Sequence, residues 1–396
     1  MPNTANEKWA PSAGSLTLAS YVSFIPIGIA TVLLGPMLPT LSSRWSLNYS
    51  QAGALFTAQY VASTCAVAVS SLVVGLRGYR FAIKLGLLLI ALALAFLLRG
   101  SVVLGVICIA AYGVGLGISV PAANFLVAEV NPLRRSATLN WLNFCWSAGA
   151  VSCPFLVAAA TRGQHAPVFL ESVAAVSLCI AAGIAAMPAS VVEPAVKSAQ
   201  QTPILSLIRG RQATFIVVAI LFFLYVGTEN SFGGWVASYA KSLSGTSTPA
   251  SVMTPSFFYA SLMVGRLMAP FLLKQIEDIR LAQSGLLLAC GGTAGLLLAH
   301  SVSGVSISAC VSGLGLSSVY PITISLLGRE FGPSSARLGS AMFVLSNIGG
   351  GLLPWIVGVS ATHFRSLQTG LFIPLFGCGA MMVLFWWKWS PETAHA

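Results

Sequence analysis

The sequence predicts an all-α membrane protein in which twelve transmembrane helices form two six-helix, pseudo-symmetric bundles. Three observations lead to that class. Only 7% of the 396 residues are charged and 56% are hydrophobic, against roughly 25% charged residues in an ordinary soluble domain. Apolar runs of about 20 residues, the length that crosses a bilayer, recur from end to end. The second half of the chain also repeats glycines and prolines of the first half at a near-constant offset.

The runs fall at 17–40, 51–74, 81–98, 102–127, 137–160 and 167–187, and then at 213–240, 252–273, 281–299, 302–326, 338–360 and 368–388. Residues 1–15 are polar, and the first run is too long for a signal peptide and lacks a small-residue cleavage site, so it reads as span 1. Between runs six and seven, PASVVEPAVKSAQQTPILSLIRGRQ at 188–212 holds three prolines and reads as a cytoplasmic linker. The expected domains are therefore 1–187, the linker 188–212, and 213–396. Late in each half an offset of 200 pairs Gly113 with Gly313, Gly115 with Gly315, Pro121 with Pro321, Gly149 with Gly349 and Pro154 with Pro354. Earlier, an offset of 199 pairs Gly28 with Gly227, Gly35 with Gly234, Tyr60 with Tyr259 and Gly86 with Gly285. Any single glycine match means little, but constancy over a whole half indicates a tandem duplication. Two parallel six-helix repeats are the plan of carriers whose halves rock about a site at the bilayer midplane.

The net charge of +11 is spread over short loops and forms no stripe, which argues against a nucleic-acid partner. With the N-terminus inside, fourteen Lys and Arg are cytoplasmic. Five, Arg44, Arg99, Arg162, Lys241 and Arg365, are outside, and Arg266 lies within a span. This bias follows the positive-inside rule and puts both termini in the cytoplasm. The expected setting is a multi-pass monomer in the lipid bilayer of a bacterial inner membrane. All eight cysteines fall within spans, without a CxxC pair or a neighbouring histidine. They read as small packing residues rather than disulfides or metal ligands, and no cofactor is expected. The spans carry no HExxH, nucleotide loop or Ser-His-Asp set, so an enzyme is not expected.

Several stretches resemble a known family: GPMLPTLSSRW at 35–45, QAGALFTAQY at 51–60, GLGISVPAAN at 115–124, LNWLNFCWSAGAVSCPF at 139–155, YVGTENSFGGW at 225–235, and GR at 265–266. Together with the six-plus-six plan they resemble the major facilitator superfamily and, within it, the fucose-permease-like branch of sugar-cation symporters. The resemblance covers all twelve spans. It implies the major facilitator fold and alternating-access transport of a neutral hydroxylated solute, a hexose above all, coupled to a proton or sodium gradient. Two departures stand out. The superfamily's loop between helices 2 and 3 reads G-x-x-x-D-R-x-G-R-R, and its aspartate helps to hold one gate closed. Here SLVVGLRGYRFAIKLG has Gly75 at the acidic position and Leu76 at the first arginine, leaving Arg80 and Lys84 of the basic tail. The branch also commonly carries a glutamate on helix 4 where this chain has Val120, so no proton site carries over there and an uncoupled sugar uniporter stays open. Proton-coupled efflux of drugs or metabolites is the other alternative. It is disfavoured because the efflux element G-x-x-x-G-P is absent, with AVSC separating Gly149 from Pro154.

Glu229 lies about sixteen residues into span 7, where a central charge costs about 2.5 to 3.5 kcal/mol on insertion scales. Such a carboxyl can carry a proton, hold a cation or accept from solute hydroxyls, so Glu229 is the expected ion-coupling and substrate-binding residue. Gly233 and Gly234 follow it, and the sequence leaves open whether they break the helix or let a neighbour pack closely. Arg266 sits nearer the cytoplasmic side of span 8 and reads, with Arg80, as a gating or anchoring cation. Asn140, Asn143 and Ser147 share a face of span 5 beside Trp146. Amides donate and accept, as hydroxyl recognition requires. Gln59, Asn124, Asn143, Trp146, Asn230, Trp235, Tyr320 and Asn347 complete the candidate binding set. Against that reading, amides also serve as interhelical glue, and Trp235 and Trp355 suit an interfacial aromatic belt. Pro36, Pro39, Pro121, Pro154, Pro321 and Pro354 are expected to bend helices.

Overall fold

The computed structural model describes residues 11–163, 165–187, 204–245 and 249–389. Every regular element among them is helical. In order these are α1 (Pro11–Val32), α2 (Leu34–Trp45), α3 (Tyr49–Arg77), α4 (Tyr79–Phe96), α5 (Val102–Val130), α6 (Arg135–Arg162), α7 (Ala166–Ala185) and α8 (Ile204–Leu207). There follow α9 (Gln212–Ser244), α10 (Pro249–Leu272), α11 (Asp278–Leu297), α12 (Val302–Leu316), α13 (Val319–Phe331), α14 (Ser335–His363), α15 (Leu367–Gly370) and α16 (Phe372–Trp389). All twelve expected spans are helical, with α1–α2, α12–α13 and α15–α16 each making one span from two pieces. Ten spans are long and apolar enough to cross a membrane. The other two, α10 and α11, are 24 and 20 residues long. Arg266 lowers the hydropathy of the first, and Asp278, Arg280 and Gln283 that of the second. Residues 188–203 of the linker and both chain ends, on which the expected cytoplasmic orientation partly rests, lie outside the described residues.

Two of the three interruptions have a common cause. Proline brings no N–H to the carbonyl four residues back. At Pro36 the unserved carbonyl is that of Val32, where α1 ends, and Met37 resumes the ladder by donating to Leu33 O at 3.1 Å. At Pro321 it is that of Ser317, just past α12, and Ile322 resumes by donating to Ser318 O at 3.1 Å. Pro39, Pro121, Pro154 and Pro354 stay inside continuous helices. Pro121 and Pro321, equivalent by the repeat, therefore act differently. The continuous course of α9 through Gly233 and Gly234 decides the question left open there in favour of close packing.

The helices gather into two compact units. One takes in the described parts of Met1–Thr31, Cys65–Gly149 and Pro167–Ser198, the other those of Val32–Thr64, Ala150–Ala166 and Ala199–Ala396. Packing thus groups α2 and the first half of α3 with the C-terminal helices.

Each unit contains the same glycine seams. In the first, a Cβ on Gly86 would lie 2.6 Å from Gly115 O and one on Gly115 2.6 Å from Gly86 O, so α4 and α5 touch backbone to backbone. In the second, Gly285 and Gly315 meet each other's carbonyls at 2.5 Å, joining α11 to α12. Gly28 packs on Trp146 O and Gly149 on Ile25 O between α1 and α6. Gly349 packs on Phe223 O and Gly227 on Gly349 O between α9 and α14. These are the pairs found by the 199 and 200 offsets. Small residues at such seams let helices approach where lipid supplies no hydrophobic drive.

Candidate functional site

The second unit holds Gln59, Glu229, Asn230, Trp235, Arg266, Tyr320 and Asn347, and the first holds Arg80, Asn124, Asn143 and Trp146. Helix α9 is 33 residues long, about 50 Å at 1.5 Å per residue, and Glu229 stands near its middle. Glu229 comes fifteen residues before Ser244, which ends α9, and Arg266 seventeen after Pro249, which starts α10. Counted from the neighbouring ends of α9 and α10, the two depths differ by about 3 Å. The sequence reading, with shorter helices, set them further apart. In the structure Arg266 Nη2 is 4.0 Å from Glu229 Oε2, with 27% and 13% of the two side chains exposed. A pair at that separation interacts by about 4 kcal/mol at an effective dielectric constant near 20.

Tyr225 stands one turn before Glu229 on α9. Its hydroxyl accepts from Arg266 Nη2 at 3.2 Å. A phenol that accepts in this way keeps its own O–H as a donor for a neighbouring carboxyl or a solute. The Tyr320 ring of α13 lies 5.1 Å from that of Tyr225 and 5.4 Å from Phe222. Next to Glu229, Asn230 donates to Val226 O at 2.9 Å and accepts from the Tyr60 hydroxyl of α3 at 2.8 Å. Gly350 on α14 leaves room for this contact, because a Cβ there would come 2.8 Å from the Tyr60 ring and 2.9 Å from Asn230 Nδ2. Asn347, one turn earlier on α14, is half-buried. Gln59, next to Tyr60, is buried.

Two residues of this arrangement escaped the sequence reading of the site. Tyr225 carried a signal in its spacing, four residues before Glu229 and so on the same face. Tyr60 carried one in the repeat, which pairs it with Tyr259. The Tyr259 hydroxyl packs on Gly233, where a Cβ would lie 2.0 Å from it.

Trp235 is neither at an interface nor open to a solute. It is fully buried, its indole N–H donates to Pro354 O at 2.8 Å, and the rings of Tyr49 and Phe56 stand 6.1 and 6.3 Å away. Substituting Trp235→Phe removes this second donor from a carbonyl already inside the continuous α14 and leaves a gap beside it, a loss of about 1 kcal/mol or more. The expected result is a lower melting temperature with unchanged solute affinity. A weakened affinity at unchanged stability would return Trp235 to the binding set.

In the first unit, Arg80 donates to Ile184 O at 3.0 Å and Met187 O at 2.8 Å, capping the carbonyls where α7 ends, a position that favours a cation. Asn124 is half-buried and donates to Val120 O at 2.9 Å, and the exposed Asn143 donates to Leu139 O at 2.9 Å, each within its own helix. Trp146 donates to Thr31 Oγ1 at 3.3 Å.

The family model described as Major Facilitator Superfamily matches residues 20–354. A search of curated proteins returns no match. Among solved structures, the chain is similar to a bacterial homolog of the human lysosomal transporter Spinster, in an inward-facing, unoccupied conformation. The TM-score is 0.79 at 14% identity, over 98% of this chain and 100% of that one. It is also similar to a D-xylose-proton symporter, with a TM-score of 0.76 at 16% identity over 97% and 99% of the chains. The transporter FucP in its outward conformation scores 0.64 at 18% identity over 95% and 99%. At these identities the likeness concerns the fold, and the family match adds the lineage. With its helical spans, its duplicated glycine seams and this match over most of its length, the chain belongs to the major facilitator superfamily, is a transporter rather than an enzyme, and is an integral multi-pass membrane protein.

Proposed function

We propose that the chain is a secondary active transporter that moves a small hydroxylated solute of sugar size together with a proton by alternating access, its two six-helix halves moving about a site that includes Glu229. The observation that carries this reading is the Glu229 carboxyl, midway along α9, 13% exposed and set 4.0 Å from a guanidinium. Arg266 beside it repels a metal cation, whereas a proton can join the carboxyl and release the pair. This favours a proton over sodium. Tyr60, Asn230 and Tyr225 add hydroxyl and amide groups for solute hydroxyls, and the Tyr320 ring adds a flat apolar surface for a sugar's C–H face. The similarity to proteins described as D-xylose-proton and fucose:proton symporters agrees with this reading. A hexose is the first solute to test.

Uptake of labelled D-glucose, with a panel of sugar competitors, is to be measured in proteoliposomes under an inward proton gradient, a sodium gradient and neither. Accumulation under the proton gradient alone is the expected result. Equal uptake in all three conditions would make the protein a uniporter and remove Glu229 from the coupling role.

A further inference from the structure

We propose that the solute is an acid, a hydroxylated monocarboxylate such as a sugar acid, whose carboxylate is bound by Arg266. This rests on the proton-coupled reading above and deepens it.

The first argument is geometric. At 4.0 Å the contact of Arg266 with Glu229 is longer than a hydrogen bond. Arg266 Nη2 is engaged with Tyr225, but Nε is buried and has no hydrogen-bond partner among the described residues. The edge of a guanidinium that carries Nε is one of those that take a carboxylate through two parallel N–H bonds. The resting structure therefore leaves a directional carboxylate-binding edge incompletely used.

The second argument is charge balance. The titratable and charged groups facing Glu229 are Tyr60 from α3, Tyr225 from α9, Arg266 and Tyr259 from α10, and Tyr320 from α13. The four phenols are uncharged near neutral pH. Empty and unprotonated, the cluster is a neutral ion pair. Once a proton joins Glu229, Arg266 is left with a net positive charge that no other group in the cluster offsets. A neutral sugar leaves that charge in place, whereas a monocarboxylate cancels it. With an acid, both the empty and the loaded carrier cross the membrane with a neutral site, and one anion and one proton move together without net charge. The half-loaded forms each hold one uncompensated charge, which disfavours slippage.

The test compares D-glucuronate with D-glucose, which share a ring and differ by the carboxylate. Proteoliposomes are loaded under an inward proton gradient, with and without an inside-negative potential set by potassium and valinomycin. The expected result is glucuronate accumulation at a rate the potential does not change, with glucose also accumulating under the proton gradient but at least about tenfold more weakly, both as solute and as competitor. Accumulation of glucose, accelerated by the potential, while glucuronate neither accumulates nor competes overturns the inference and leaves proton-coupled sugar transport standing. No movement of either solute overturns both readings. Thermal stabilisation by glucuronate supplies a second readout, in wild type and in the double variant Glu229→Gln with Arg266→Gln, which removes both charges together and retains a neutral site. Stabilisation is expected only in wild type. Stabilisation that persists undiminished in the double variant places the carboxylate elsewhere and overturns the inference.

Discussion

Glu229→Gln is expected to abolish gradient-driven accumulation while solute exchange across the membrane continues. Glutamine keeps the shape and accepting oxygen of the side chain but cannot release a proton near neutral pH, so the proposed step that links solute to the gradient should be lost. Accumulation should fall by at least about tenfold, equivalent to roughly 1.4 kcal/mol of coupling, with counterflow exchange retained. The substitution also strips Arg266 of its counter-charge, a gross attraction of about 4 kcal/mol before the desolvation of both groups is set against it. Some loss of thermal stability is expected for that reason alone. The double variant with Arg266→Gln separates the two effects. It should recover stability, because no uncompensated charge remains, and should still fail to accumulate. Recovery of accumulation in the double variant would mean that Glu229 serves only to neutralise Arg266.

The second large effect belongs to the glycine seams. In Gly315→Val the new Cβ would lie 2.5 Å from Ala289 N and 2.5 Å from Gly285 O, both backbone atoms of α11. Neither can rotate aside, so α11 and α12 must part along their length and lose packing on both sides. Overpacking costs typically 1 to 3 kcal/mol, and a clash against backbone belongs at or above about 3 kcal/mol. The expected result is a sharply lower yield of monodisperse protein and a melting temperature depressed well beyond that of a control. Gly291→Ala on α11 is that control, since its Cβ meets nothing within 4 Å. It should be neutral or gain up to about 1 kcal/mol from helix propensity. Gly115→Val should behave as Gly315→Val does, because its Cβ would lie 2.6 Å from Gly86 O. A near-wild-type melting temperature for Gly315→Val would show that the α11–α12 seam is not a close backbone contact.

The spans and the seams were legible because both are properties of sequence order. An apolar run long enough to cross a bilayer declares itself whatever it packs against, and a duplicated helix pair repeats its small residues wherever backbones must touch. Gly86, Gly115, Gly285 and Gly315 were found as a numerical coincidence of offsets and proved to be two copies of one contact. The candidate site was legible in part. Glu229 stood out because a charge in an apolar run is costly, and Asn230 lay beside it. Tyr225 and Tyr60 went unnoticed because phenols are common in apolar spans and gain meaning only from what their hydroxyls meet.

What the sequence determined by itself is the class, the span positions, the repeat and the presence of a carboxyl midway along an apolar span, since hydropathy and periodicity act locally. Tertiary structure decided how each helix is rotated about its axis and where its ends fall. Those two quantities set the depth of Arg266 against Glu229, turn the Trp235 indole inward to Pro354 O and bring Tyr60 to Asn230 across 170 residues. The same proline breaks the chain at Pro321 and not at Pro121. Whether a helix lacking one hydrogen bond bends or runs on depends on the neighbours that hold it, and the order of residues alone does not name them.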